Sequence, residues 1–241
     1  MQLADHILFF LLGVLLPAVL FISGRKRVTA ERPPRFDRGL KLRLYYGNGA
    51  LLYSLALMVL TVWYFGGRPF TALGLGWGRT PYDGWSLGLL GGFMALYVLD
   101  LYLETGSPDR RAETREEFRR LGFLPASGYE YLHWLFLATA AGIGEEIVYR
   151  GFMITYLETV LAQDPPGVVL TLLIPAVSFG LGHAYQGGKA VVKVVLMALI
   201  FGVFFYRTHT LWPLILLHST VDVVAGMLSW YLQGREEEVI F

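Results

Sequence analysis

The stretch 144–152, "GEEIVYRGF", puts Glu145, Glu146 and Arg150 inside a run that otherwise reads as membrane. A charge at the centre of a bilayer costs roughly 2.5–3.5 kcal/mol on insertion scales. Left unpaired, the three together would cost about 8–10 kcal/mol, comparable to the stability of a whole domain. Glu146 and Arg150 are four residues apart with the acid first, the favourable order for a helical ion pair. Glu145 points about 100° away from Glu146 on an ideal helix. One carboxylate is therefore neutralised locally and the other stays available. Taken alone, Glu146–Arg150 reads equally well as a buried structural pair.

The surroundings support a membrane reading. Of 241 residues, 55% are hydrophobic and 16% charged, against roughly 25% charged in soluble domains. Seven apolar segments, 4–23, 49–66, 84–103, 131–157, 167–184, 190–207 and 211–232, are long enough or nearly so to cross about 30 Å of hydrocarbon. The fourth is overlong and contains the opening stretch. It reads as one tilted helix or as a span joined to a shorter helix. The expected fold is an all-α polytopic bundle of seven to eight membrane segments, forming one integral membrane domain over 1–241. Net charge of +1 gives no general case for nucleic acid, and the absence of cysteine excludes disulfides, thiolate metal sites and a Cys nucleophile. The first apolar run, "ILFFLLGVLLPAVLFISG", has no basic region before it and no small-x-small cleavage site. It reads as a retained span.

Lys and Arg concentrate in the connections 24–48 (Arg25, Lys26, Arg27, Arg32, Arg35, Arg38, Lys41, Arg43) and 104–130 (Arg110, Arg111, Arg115, Arg119, Arg120). That alternation predicts an external N-terminus and a cytoplasmic C-terminus. "RAETREEFRRLGF" interleaves both signs with Phe118, Leu121 and Phe123. It suits an amphipathic helix at the membrane surface, or a solvated linker helix. Gly84, Gly88 and Gly92, at four-residue spacing, predict close approach of a neighbouring helix. No internal repeat is visible, which weighs against inverted-repeat transporters.

Two further polar sets lie in apolar runs. In "FGLGHAYQG", His183 follows Phe179 by four residues, with Gly180 and Gly182 permitting close backbone approach. In "LHSTVD", His218 and Asp222 share one helix face, and an aspartate one turn away can hold an imidazole in one tautomer. Each set also has a plain reading, an interfacial histidine for His183 and an interhelical polar clasp for His218–Asp222. The combination favours chemistry, because three separate spans each supply a carboxylate or imidazole and bundle-facing polar groups tend to find one another. His6, His133 and His209 lie near span ends and read as interfacial.

"EEIVYR" is an E-E-x-x-x-R motif, "FGLGH" is F-x-x-x-H and "HSTVD" is H-x-x-x-(N/D), in that order on successive hydrophobic segments. Together they resemble the CAAX-processing and bacteriocin-processing (Abi) family of intramembrane proteases, related to the CAAX prenyl endopeptidase of type 2. The "LGLGW" turn at 73–77 resembles that family's Leu-Gly-Leu segment. The resemblance covers about 140–225, and the protease core is expected over approximately 130–232. It implies a glutamate-dependent peptidase. Glu145 corresponds to the water-activating base and His183 to the histidine that helps hold the water. His218 and Asp222 correspond to the pair near the scissile carbonyl, with Glu146, Arg150 and Phe179 in support. Many family members have Asn where this chain has Asp222, and an ionised Asp cannot donate a hydrogen bond. Orienting His218 is then the expected task of Asp222.

The substrate so implied is a protein or peptide at the membrane, lipidated or membrane-associated. No cofactor is expected. Zinc at Glu145, His183 and His218 is the alternative, although "EEIVYR" is not H-E-x-x-H. A proton-coupled transporter, which uses the same residue types in a relay, and a non-catalytic immunity or scaffold membrane protein are the competing functions. One geometric difficulty arises. A fourth helix entering near Tyr131 puts Glu145 about 21 Å along it, whereas His183 falls near the end of its own span.

Overall fold

The computed structural model describes residues 1–28, 36–76 and 82–234. Arg32, Arg35, Trp77, Arg79 and Arg235 lie outside the described residues, as do the side chains of Arg25, Lys26 and Arg27.

Helix starts follow from local chemistry. The first N–H groups of a helix have no intrahelical acceptor, and a short Asp or Ser side chain supplies one. Asp37 does so for α2 (Arg38–Phe65), Asp83 for α3 (Gly84–Thr105) and Ser107 for α4 (Pro108–Leu121). Ser127 caps α5, which begins as Gly128–Glu145, and Asp164 caps α6 (Pro165–Gly182). Pro108 and Pro165 take the first helical positions, where no N–H is needed. The N-terminal helix α1 runs through Leu3–Phe9, a π-wound turn Phe10–Leu15, and Leu16–Val28. Helices α7 (Gly188–Thr208) and α8 (Trp212–Gly234) complete the chain. At the start of α3 the Asp83 carboxylate is held down at about 2 by the Ser86 hydroxyl and N–H and by Arg207.

The all-helical class is as expected, and the span count is lower. Among the described residues, six helices, α1, α2, α3, α6, α7 and α8, are long and apolar enough to cross a membrane, one or two fewer than the seven to eight segments expected. The difference is α5. It continues from Gly128–Glu145 through a π-wound Glu146–Ile154 into Thr155–Leu161, and its internal acids and Arg150 dilute its apolar character. At 1.5 Å per residue it is about 50 Å long, well beyond a hydrocarbon layer of about 30 Å. The depth difficulty disappears with it. The much shorter α6 starts just after Leu161 and runs back alongside, its Phe179 ring meeting Tyr149 at 4.9 Å between centroids. Four residues onward from Phe179 and four back from Tyr149 bring His183 and Glu145 to one level.

Helix α5 is the axis of the bundle. It runs parallel to α2, with contacts Lys41–Glu130, Tyr46–His133 and Gly49–Phe136 ascending together. It runs antiparallel to α8, where Gly128 meets Trp230 and Trp134 Nε1 donates to the Asp222 carbonyl at 2.9 Å. The main core gathers Val59, Phe152, Met153, Phe179, Phe201, Phe205 and Leu214 around the π-wound segment, all nine of whose residues are buried. The charged helix expected near 111–123 is α4, and its Phe118 and Leu121 pack on a second core of Tyr45, Leu124, Trp134 and Ala138. The glycine expectation on α3 is corrected. A Cβ at Gly84, Gly88 or Gly92 would meet nothing within 4 Å, so no neighbour uses that stripe.

One buried ion pair ties α2 to α5. Lys41 Nζ lies 2.9 Å from Glu130 Oε2 and 3.0 Å from the Leu124 carbonyl, while Glu130 also accepts from Ala126 N. Removing one partner leaves the other charge buried and alone, at a cost of about 3–5 kcal/mol. Lys41→Ala is expected to lower the unfolding midpoint in detergent sharply. The double variant Lys41→Met/Glu130→Gln should recover most of that loss, because neither buried charge then remains.

Candidate active site

Two glycines deliver Glu145 to its partners. A Cβ at Gly142 would overlap the Ser219 hydroxyl and lie 2.8 Å from Ser219 N, so α5 and α8 touch backbone to backbone there. A Cβ at Gly144 would lie 2.9 Å from the Leu52 carbonyl of α2. The helix is thus gripped on two sides immediately before the acidic pair. Because the Gly142–Ser219 contact sits one residue from His218, it brings the α8 imidazole up against both glutamates.

The centre of the site is His218, which is 4% exposed. Its Nδ1 lies 2.7 Å from Glu146 Oε1. The same carboxylate oxygen accepts from Arg150 Nη1 at 2.8 Å. On the other side of the ring, Nε2 stands 3.5 Å from Glu145 Oε2 and 3.8 Å from Asp222 Oδ2. A carboxylate only accepts, so the proton on Nδ1 points at Glu146 and the Nε2 edge faces the remaining two acids. The buried guanidinium of Arg150 lies between the Phe179 and Phe201 rings, at 4.9 and 5.4 Å. Both rings also pack near His218, at 6.0 and 6.5 Å between centroids. Phe179 therefore serves the pair and the imidazole together.

His183 closes α6 with Nδ1 2.8 Å from the Phe179 carbonyl. A carbonyl cannot donate, so Nδ1 carries the proton and Nε2 is left as the acceptor in the neutral ring. His183 interacts electrostatically with His218 and Asp222, and Asp222 with His218, Glu145 and Glu146. All four residues assigned to chemistry thus fall in one cluster with Glu146, Arg150 and Phe179. Exposure divides it into two layers. Glu146 and Arg150 are sealed, while the side chains of Glu145 and Asp222 are 16% and 29% exposed. Sealed residues hold; reachable ones meet whatever enters.

Two details differ from the sequence reading. Glu146, rather than Asp222, orients His218, because Asp222 is 3.8 Å from the ring and outside hydrogen-bonding distance. Glu145 has a neighbour the sequence reading did not give it, Nε2 of His218 at 3.5 Å. The Gly142 and Gly144 contacts also went unread, although "GIGEE" carries their signal. Among the described residues, no three His, Asp or Glu side chains are grouped to hold a metal ion.

Residues 127–224 match the model of a family described as type II CAAX prenyl endopeptidase Rce1-like. The motif-bearing segment is similar to that family. The likeness read from the three motifs is thereby borne out, and the family is one of peptide hydrolases. The match takes in Glu145, His183, His218 and Asp222 and reaches from the cap of α5 into the middle of α8. No curated protein and no solved structure matches the chain.

The two layers respond differently to substitution. Glu146→Ala strands a buried guanidinium and is expected to cost about 3–5 kcal/mol, read as a large fall in the detergent unfolding midpoint. Glu145→Ala, at a partly exposed carboxylate with no short hydrogen bond, should shift the same midpoint by far less.

Proposed function

We propose that this chain is an intramembrane endopeptidase of the CAAX type that hydrolyses peptide bonds of membrane-associated or lipidated substrates with a water activated by Glu145. The observation that carries the reading is the division of labour around His218. A buried carboxylate fixes one ring nitrogen, while the other faces a second, partly exposed carboxylate. A purely structural ion pair has no use for the second acid.

The steps follow from the groups present. Water sits between the Glu145 carboxylate, which accepts one of its protons, and His183 Nε2, which accepts a hydrogen bond from the other. Glu145 removes the proton as the hydroxide attacks the substrate carbonyl carbon. The carbonyl oxygen becomes an oxyanion and takes a hydrogen bond from His218, which donates from Nε2 when the ring is doubly protonated. Collapse breaks the C–N bond, and the proton held by Glu145 passes to the departing amine, restoring the carboxylate. Glu146 acts through His218, keeping its Nε2 edge toward the substrate. Asp222 flanks that edge and balances imidazolium charge; ionised, it makes no direct oxyanion contact.

No metal enters these steps, since a base, a water-holding imidazole and an oxyanion donor are all supplied by the chain. We read 1–241 as one integral membrane domain with the protease core over approximately 130–232. By the Lys and Arg distribution, the connection between α1 and α2 faces the cytoplasm, and the C-terminus lies on the same side when α5, parallel to α2 with α6 running back beside it, is taken as a further crossing.

Two experiments test the proposal. Glu145→Gln keeps the shape of the side chain and removes the base, so it should cut cleavage of a membrane-anchored reporter by about 10²–10⁴-fold with normal insertion and an unchanged unfolding midpoint. Retained cleavage would reject Glu145 as base. Incubation of purified wild-type protein with a strong zinc chelator should leave the rate unchanged, and a loss restored by added zinc would favour the metal reading.

A further inference from the structure

A membrane-embedded site needs a way in, and the chain offers two. Toward the ends of α1 and α6, the way is plugged. Tyr185 stacks on His183 at 6.1 Å and meets Phe123 edge-on at 5.8 Å, and Phe123 packs against Trp134 at 6.2 Å. Gly24 of α1 presses on the same turn so closely that a Cβ there would lie 2.8 Å from Tyr185 N. Opening this route means dismantling a run of packed aromatics.

The second way runs between α3 and α8, beside Asp222. Among the described residues, one hydrogen bond joins the two helices, from the Tyr97 hydroxyl to the Val221 carbonyl at 3.4 Å. That is long for an O–H···O bond, whose usual range is about 2.5–3.0 Å. Helix α3 itself is lightly held. Ser86 and Phe93 are its buried residues, and a Cβ at Gly84, Gly88, Gly91 or Gly92 meets nothing within 4 Å. Its polar attachments lie toward its two ends, to α7 at both and also to α4 at the second, where Thr114 donates to the Glu104 carbonyl at 2.9 Å and Arg111 to the Thr105 carbonyl at 2.8 Å. Arg207 reaches Asp83 at 2.7 Å, and Lys193 reaches Asp100 at 2.8 Å and Glu104 at 2.6 Å. Phe93 adds an edge-on contact with Phe201 at 4.9 Å. The helix is therefore pinned to α7 and merely touches α8. Glycine in a helix interior costs about 1 kcal/mol relative to alanine, so Gly88, Gly91 and Gly92, which face no neighbour, leave this segment easy to bend between its pins.

We infer that the substrate reaches Glu145 sideways from the bilayer, as an extended apolar segment passing between α3 and α8, and that Tyr97 is the bar it displaces. The inference rests on the protease reading and adds the route and the substrate class, a segment presented from within the lipid layer. Phe93 and Tyr97, stacked 6.3 Å apart, line the passage on one side. Asp222, at 29% side-chain exposure, stands at its inner end. The outward faces of α3 and α8 are apolar and exposed at Leu96, Leu99, Leu103 and Leu216, so an apolar segment passes from lipid to site without crossing water.

Absence of native cysteine makes the test clean. Cysteines placed at 97 and 221 (Tyr97→Cys, Val221→Cys) are joined across the seam with a short, reducible bismaleimide. Cross-linking should lower cleavage of a bilayer-anchored reporter in liposomes by at least tenfold, and reduction should restore it. Tyr97→Ala, which removes the bar, should raise kcat/KM for the anchored reporter severalfold, mainly through KM. An unchanged rate on cross-linking, or an unchanged or lower kcat/KM in Tyr97→Ala, overturns the route. Failure of the wild-type protein to cleave the reporter overturns the protease reading instead.

Discussion

One carboxylate oxygen, Oε1 of Glu146, accepts from both Arg150 and His218, and the rest of the site is arranged around it. Three ionisable groups would be ruinous if buried separately. Sharing a single oxygen, they become one unit held by residues from α5 and α8, with Phe179 of α6 and Phe201 of α7 closing over the guanidinium. The unit does structural and chemical duty at once. It holds four helices at a common level, and it presents one imidazole edge outward. Glu145 gains its freedom from this arrangement, since its neighbour has already absorbed the local positive charge.

The close approach of α5 and α8 makes the sharing possible. Without the missing side chain at Gly142, Ser219 could not come so near, and His218 would stand off from both glutamates. The π-wound segment that begins at Glu146 has the same tenor. Such wide turns are uncommon and concentrate at working sites, and here the segment carries both members of the ion pair. The local backbone is shaped for the cluster rather than for helix regularity.

Much of this was legible in the residues themselves. The motif carboxylates and imidazoles announced themselves by expense, since nothing apolar explains Glu145, Glu146 or Arg150 in a membrane run. Helix starts at Asp37, Asp83, Ser127 and Asp164 are equally readable from cap chemistry. What stayed hidden depends on distance along the chain. The Glu146–His218 contact joins residues 72 apart, and Lys41–Glu130 joins residues 89 apart. Sequence offered Asp222 as the orienting acid because it lies one turn from His218, but a partner from another helix lies closer. The glycines of α3 teach the converse. Small residues permit close packing without requiring it, and at Gly84, Gly88 and Gly92 nothing came.

The length of α5 has its own bearing. A rod of about 50 Å cannot stand upright in a layer of about 30 Å with both ends in water-like surroundings unless it leans or overhangs. Glu145 sits just past its midpoint, where a change in lean about the centre shifts height least. Thin and thick membranes would tip the ends of the rod by different amounts and leave its working groups near one depth.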